Sequence, residues 1–191
     1  MSGSSRTVFV ERHVSPAFDL YATGRYALEK AQSTQEGSFL ELLTAVLMAA
    51  LAFEAFLNEA GQHVWGAKSA IWAAVERRDP LSKFKAIAEH VRFDAEAGER
   101  PLQTVGLVCR LRNDIVHAKP EFFRAQIPAK VAEAAPMLAG VEGVSSEWEM
   151  ACTVGFAERA LKDVAQLTDQ LSNRIEMTNP LYIGGLTMRS G

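Results

Sequence analysis

The sequence predicts an all-α fold, an antiparallel bundle of long helices with short helices inserted between them. Three observations carry this expectation. Apolar residues recur at the i, i+3, i+4, i+7 spacing that lines one side of a helix. Sustained apolar–polar alternation bounded by turn residues, the mark of half-buried strands, occurs nowhere. Helix punctuation falls where the periodic stretches begin and end, at Ser15-Pro16, Asp79-Pro80, Ser146-x-x-Glu149 and Asn179-Pro180.

Residues 1–15 read as a flexible N-terminal lead-in, polar and without the apolar run of a signal peptide. A first helix is expected from about Ser15 to Thr34, with Ser15 as N-cap and Pro16 in the first turn. A second, rich in alanine, leucine and methionine, spans about Gln35 to Val64. A short helix follows near 69–78. Asp79-Pro80 opens another, to about Ala97, which Gly98 ends. Pro101 opens a helix that Pro120 closes. Residues 120–146, with Pro120, Pro128, Pro136, Gly140 and Gly143, are the least regular part and hold at most a short helix near 129–138. The last long helix is expected to start at Ser146, where Ser146-x-x-Glu149 fits a capping box, and to end near Met177. These elements form one domain over 16–178, followed by a C-terminal tail over 179–191, with no repeat, low-complexity tract or linker.

Charge and composition exclude several function classes. A net charge of -3 and a pI near 5.8 give no global basic field to draw nucleic acid or an anionic membrane, although a local basic pocket can act inside an acidic protein. The longest uncharged apolar run, Leu42 to Phe53, is too short to span a bilayer and is bracketed by Glu41 and Glu54, so it reads as a buried helix and no membrane partner is expected. Cys109 and Cys152 lie in apolar helical surroundings and read as reduced core thiols of a cytoplasmic protein. His13, His63 and His90 fall on different segments, with no His-x-x-x-His or Cys-x-x-Cys spacing, so no metal site is expected. No phosphate-binding glycine loop is present, and no cofactor is expected. Trp65, Trp72 and Trp148 read as core or interface packing rather than base-stacking platforms.

The most informative stretch runs from Arg110 to His117. Counted at about 100° per residue, Val105, Val108, Cys109, Leu111, Ile115 and Val116 fall in one apolar arc, and Arg112 projects from near its middle. Asn113, His117 and Arg110 fall together on a polar strip outside it. A guanidinium inside an apolar stripe is costly to bury unless it finds an anion. On the second helix Leu40, Leu43, Val46, Leu47, Ala50 and Leu57 define the main apolar face by the same count. Glu54 lies near its centre and Asn58 at its edge, while Glu41 and Glu59 point away. Glu54 is therefore expected to meet Arg112 inside the bundle, with Asn58 completing the hydrogen bonding. Such a pair can also do no more than fix helix register.

Arg112-Asn113-Asp114-Ile115-Val116-His117 resembles the Arg-Asn-x-x-x-His signature of the HEPN superfamily, helical-bundle proteins many of which are RNases in toxin–antitoxin, phage-defence and RNA-processing systems. The upstream block Ala52-Phe-Glu-Ala-Phe-Leu-Asn58 resembles the Glu-Ala-x-x-Asn segment on an earlier helix of many bacterial HEPN-like proteins, and the resemblance covers roughly residues 36–176. It implies a metal-independent endoribonuclease in which the ribose 2′-OH attacks the adjacent phosphate, leaving a 2′,3′-cyclic phosphate and a 5′-OH. Arg112 would stabilise charge on the phosphate or hold the site's geometry, His117 would act as general acid or base, and Asn113 would position His117 or the phosphate. It also implies a homodimer with two motifs facing one cleft, where Arg110, Lys119 and Arg124 would meet RNA phosphates, and an antitoxin or defence-system partner protein. The alternative is a non-catalytic HEPN-like module that binds a partner protein or nucleotide. Arg112 and His117 project about 140° apart on an ideal helix, so an arginine locked onto Glu54 could not easily reach a substrate.

Overall fold

The computed structural model describes residues 10–34, 38–95, 98–134, 138–182 and 185–188. The described chain is a bundle of α-helices, as the periodicity predicts. Its core is built by α1 (Pro16–Ser33), α2 (Ser38–Trp65), α4 (Pro80–Val91), α5 (Leu102–Val116) and α8 (Val154–Arg174). Shorter helices, α3 (Ala70–Val75), α6 (Ala129–Ala134) and α7 (Glu147–Ala151), fill the connections.

The caps read from sequence hold locally. The Ser15 hydroxyl accepts from the Phe18 backbone N–H and also donates to Glu59 at 2.8 Å, tying the start of α1 to α2. Asp79 accepts from the Ser82 N–H at 3.0 Å. Ser146 and Glu149 form a reciprocal capping box at the start of α7.

Two element boundaries differ from expectation. The last helix is not continuous: it breaks at Cys152-Thr153, where the Thr153 hydroxyl accepts from the Phe156 N–H and caps a new helix, α8. Threonine's local hydrogen bonding competes with helix continuation, and that competition prevails here. α4 stops at Val91, because Arg92 takes the left-handed conformation at φ 54° and closes the last turn. Of its expected remainder, 96–97 lie outside the described residues, as do 135–137 at the end of the helix expected near 129–138.

Parts of the expected lead-in and tail form regular structure. Val10–His13 (β1) pairs antiparallel with Gly185–Met188 (β2), in the register Val10↔Met188 to His13↔Gly185. Leu181 is 2% exposed and belongs to the core, so the segment from Asn179 to Leu181 packs on the bundle. Strands of four residues are too short to display a readable alternation. Residues 1–9, 183–184 and 189–191 lie outside the described residues.

α1 lies along α2 through a seam of small side chains: Ala17, Gly24, Ala27 and Ala31 on one side, Ala45, Ala49 and Ala52 on the other. A Cβ at Gly24 would come within 3.1 Å of the Met48 Cβ and 3.3 Å of the Ala45 carbonyl, so the two backbones approach as closely as glycine permits. This seam turns α2 about its axis relative to the face read from its leucines. The buried residues are Leu42, Ala45, Val46, Ala49, Ala50, Ala52, Phe53, Phe56, Leu57 and Ala60, a face about a quarter turn from the expected one, and Leu40 is 49% exposed. By length and composition α2 could cross a membrane, but half of that apolar window is buried inside the bundle.

Candidate functional site

The rotation of α2 moves Glu54 from the centre of the core face to its rim. There it meets α5 and α4. Arg112 donates through Nη2 to Glu54 Oε2, so the expected ion pair forms. The two side chains keep 20% and 28% of their surface, which makes this a pair at the mouth of the bundle rather than in its centre. Arg112 also donates through Nη1 to Asn113 Oδ1 at 3.0 Å. Its Nε is buried and has no partner among the described residues.

A third charged residue completes the cluster. Lys83 on α4 is only 4% exposed in its side chain, and its Nζ lies 2.8 Å from Asn58 Oδ1 and 3.5 Å from Glu54 Oε1. Asn58 thus serves Lys83, not the Glu54–Arg112 pair as expected. Asn113 likewise turns to Arg112 instead of joining His117 on the polar strip, and its link to His117 is only the backbone bond from the His117 N–H to its carbonyl at 3.0 Å. Three helices therefore bring together two cations, one carboxylate and two amides: Lys83, Arg112, Glu54, Asn58 and Asn113. Lys83 was legible by the test that found Arg112 and Glu54, since it sits among Pro80, Phe84 and Ile87 on the buried face of α4.

His117 is the C-cap of α5 and is exposed. Val116, placed on the apolar arc by the helical count, is 62% exposed, while Ile115 beside it still packs against the core. Gln103, Leu107, Arg110, Asp114 and His117 form the outward face of the helix. Arg110, Lys119 and Arg124 are all exposed, and the Arg124 guanidinium lies 5.4 Å over the Phe122 ring. The structure thus brings Arg112, Asn113, Glu54 and Asn58 into one cluster at the bundle rim and leaves His117 and Arg110 on the face beside it. Among the described residues no three His, Cys, Asp or Glu side chains are grouped to hold a metal ion.

A second ion pair, between a buried carboxylate and a half-exposed arginine, was not expected from sequence. Asp163 on α8 is 1% exposed in its side chain and accepts from Arg100 Nε at 2.7 Å and Nη2 at 2.6 Å, a bidentate clasp between α8 and the approach to α5. Burial pushes its carboxyl up, but the hydrogen bonds from Arg100 and Thr104 and the Arg100 charge outweigh this and hold it below the usual value. The cysteines are chemically quiet. Burial raises the Cys109 thiol to about 12, against a smaller opposing pull from Arg112, and the Cys152 thiol to about 11.

No family model, no curated protein and no solved structure matches this chain.

Proposed function

We propose that the chain is a metal-independent endoribonuclease of the HEPN type, acting as a homodimer. One observation carries this reading. A single helix end presents a guanidinium anchored at the bundle rim and, five residues on, an exposed imidazole at its C-cap that has no part in the core. Phosphoryl transfer from a ribose 2′-OH needs a cation against the phosphate oxygens and a proton carrier beside the attacking or leaving oxygen. Arg112 suits the first role and His117 the second. The 2′-oxygen bonds to phosphorus, the bond from phosphorus to the 5′-oxygen breaks, and the 5′-oxygen leaves as a hydroxyl. His117 of one or both protomers takes the 2′ proton or supplies the one the 5′-oxygen needs. Arg110, Lys119 and Arg124, all exposed, would meet the flanking phosphates.

Pairing through the outward face of α5 would bring two copies of this constellation together. Leu107, at 39% exposure, gives that face apolar surface beside Arg110 and His117. The outward face of α8 carries Glu158, Arg159, Lys162, Gln166 and Gln170 and is suited to solvent instead. A cytoplasmic role in a toxin–antitoxin or phage-defence system, with a protein partner that restrains the nuclease, fits the same resemblance.

One observation favours a second reading, a non-catalytic module that binds a partner protein or nucleotide. Arg112 is already engaged by Glu54 and Asn113. Incubation of purified protein with mixed RNA in EDTA, followed by analysis of the new termini, decides between them. The expected result is cleavage that leaves 2′,3′-cyclic phosphate and 5′-OH ends. A well-folded dimer that cuts no RNA supports the second reading.

A further inference from the structure

Glu54 is shared. Arg112 takes one carboxylate oxygen and Lys83 lies 3.5 Å from the other, so the cluster holds two cations against one anion. The two cations are held differently. Lys83 is 4% exposed and fixed by a 2.8 Å bond to Asn58 Oδ1, so its ammonium has no route to solvent. Arg112 is 20% exposed, sits at the rim, and carries a buried Nε–H with no partner among the described residues. Were Arg112 the carboxylate's sole partner, its departure would strand a half-buried charge, and the arginine would stay where it is. With Lys83 in place, Glu54 remains compensated when Arg112 leaves.

We infer that Lys83 is a positioning residue, the resident counter-ion of Glu54 that frees Arg112 to turn outward and bind a phosphate oxyanion. The identity of the anion as a phosphate rests on the ribonuclease reading; the surplus cation and the unpartnered Nε–H do not. Lys83 touches no substrate here. It acts through the Glu54–Arg112 pair, and it removes the conflict between an arginine that holds the fold and one that serves chemistry.

The test uses inorganic phosphate as probe, against chloride at matched ionic strength, with two readouts: the melting temperature and the Arg112 Nε–H resonance. Phosphate should raise the melting temperature of the wild type and shift that resonance. Lys83→Met should weaken the phosphate response by roughly tenfold or more, because Glu54 then retains Arg112. Glu54→Gln added to Lys83→Met should restore it, and Glu54→Gln alone, which removes the carboxylate charge that retains Arg112, should bind phosphate more tightly than the wild type. A Lys83→Met protein that responds like the wild type, a response that Glu54→Gln fails to restore, or a wild type indifferent to phosphate overturns the inference. Should Lys83→Met not fold, Glu54→Gln alone decides, and equal or weaker binding overturns the inference. RNA cleavage by the same wild-type preparation is scored separately. A protein with the full Lys83-dependent phosphate response that cuts no RNA would defeat the ribonuclease reading and leave this one standing.

Discussion

Glu54 divides its two oxygens between Arg112 and Lys83, and that division sets what each substitution costs. Removing one partner of a buried pair usually costs about 3–5 kcal/mol, because the other charge is stranded. Arg112→Ala strands nothing, since Lys83 remains and both members of the pair keep some solvent. A loss of about 1–3 kcal/mol is expected, between the exposed and buried limits. Glu54→Leu is different. It leaves two cations facing each other without an anion, and a loss of about 3–5 kcal/mol is expected. Urea unfolding of the two variants tests the order, and an Arg112→Ala protein less stable than Glu54→Leu contradicts it. The cysteines give a second test. With thiols raised by burial to about 12 and about 11, native protein should resist alkylation at neutral pH, and both cysteines should react once urea unfolds the chain. Rapid labelling of either in the native state would show that the packing around Cys109 or Cys152 opens readily.

The clasp of Arg100 on Asp163 ties α8 to the start of α5, the helix that carries the site. A carboxyl held below its usual value stabilises the fold wherever the unfolded carboxyl is ionised, above about pH 4, and loses that contribution as pH falls through its lower native value. Arg100→Met should therefore lower the melting temperature at pH 7 and flatten its fall on acidification. Parallel melting profiles for variant and wild type would mean that the clasp contributes nothing. How these helices meet was only partly legible in the sequence. Helix spans and caps were readable because they depend on neighbours in the chain, as at Ser15, Asp79 and the Ser146–Glu149 box. The rotation of α2 was not, because leucines suggest one core face while the alanines of the α1 seam, which bury little area but permit close approach, set another. The Glu54–Arg112 pair survived that error because a carboxylate at the rim of a face can still reach a guanidinium. Lys83 and Asp163 carried a readable signal, a charge among buried apolar neighbours, at Phe84 and Ile87 for one and at Leu161 and Val164 for the other.

The molecule as a whole keeps its polar cluster at one edge of the bundle, where α5 ends and the irregular segment beyond it begins. Phe122 is 84% exposed and Phe123 40%, next in the chain to the outward face of α5. Apolar surface of this kind beside a candidate site is suited to pairing. Light scattering should return about twice the 20.9 kDa chain mass at working concentrations, and a monomer would remove the facing-motif cleft from the proposal. The division of labour within the motif offers the sharpest test. His117 is exposed and outside the core, so His117→Ala should change stability by no more than about 0.5 kcal/mol while abolishing RNA cleavage. Arg112→Ala should reduce both. The decisive measurement is RNA cleavage in EDTA by wild type and His117→Ala, with the unfolding of each followed in parallel. Cleavage lost in a variant as stable as the wild type is the expected result; equal cleavage by the two proteins would contradict the assignment of His117 as the proton carrier and, with it, the ribonuclease reading.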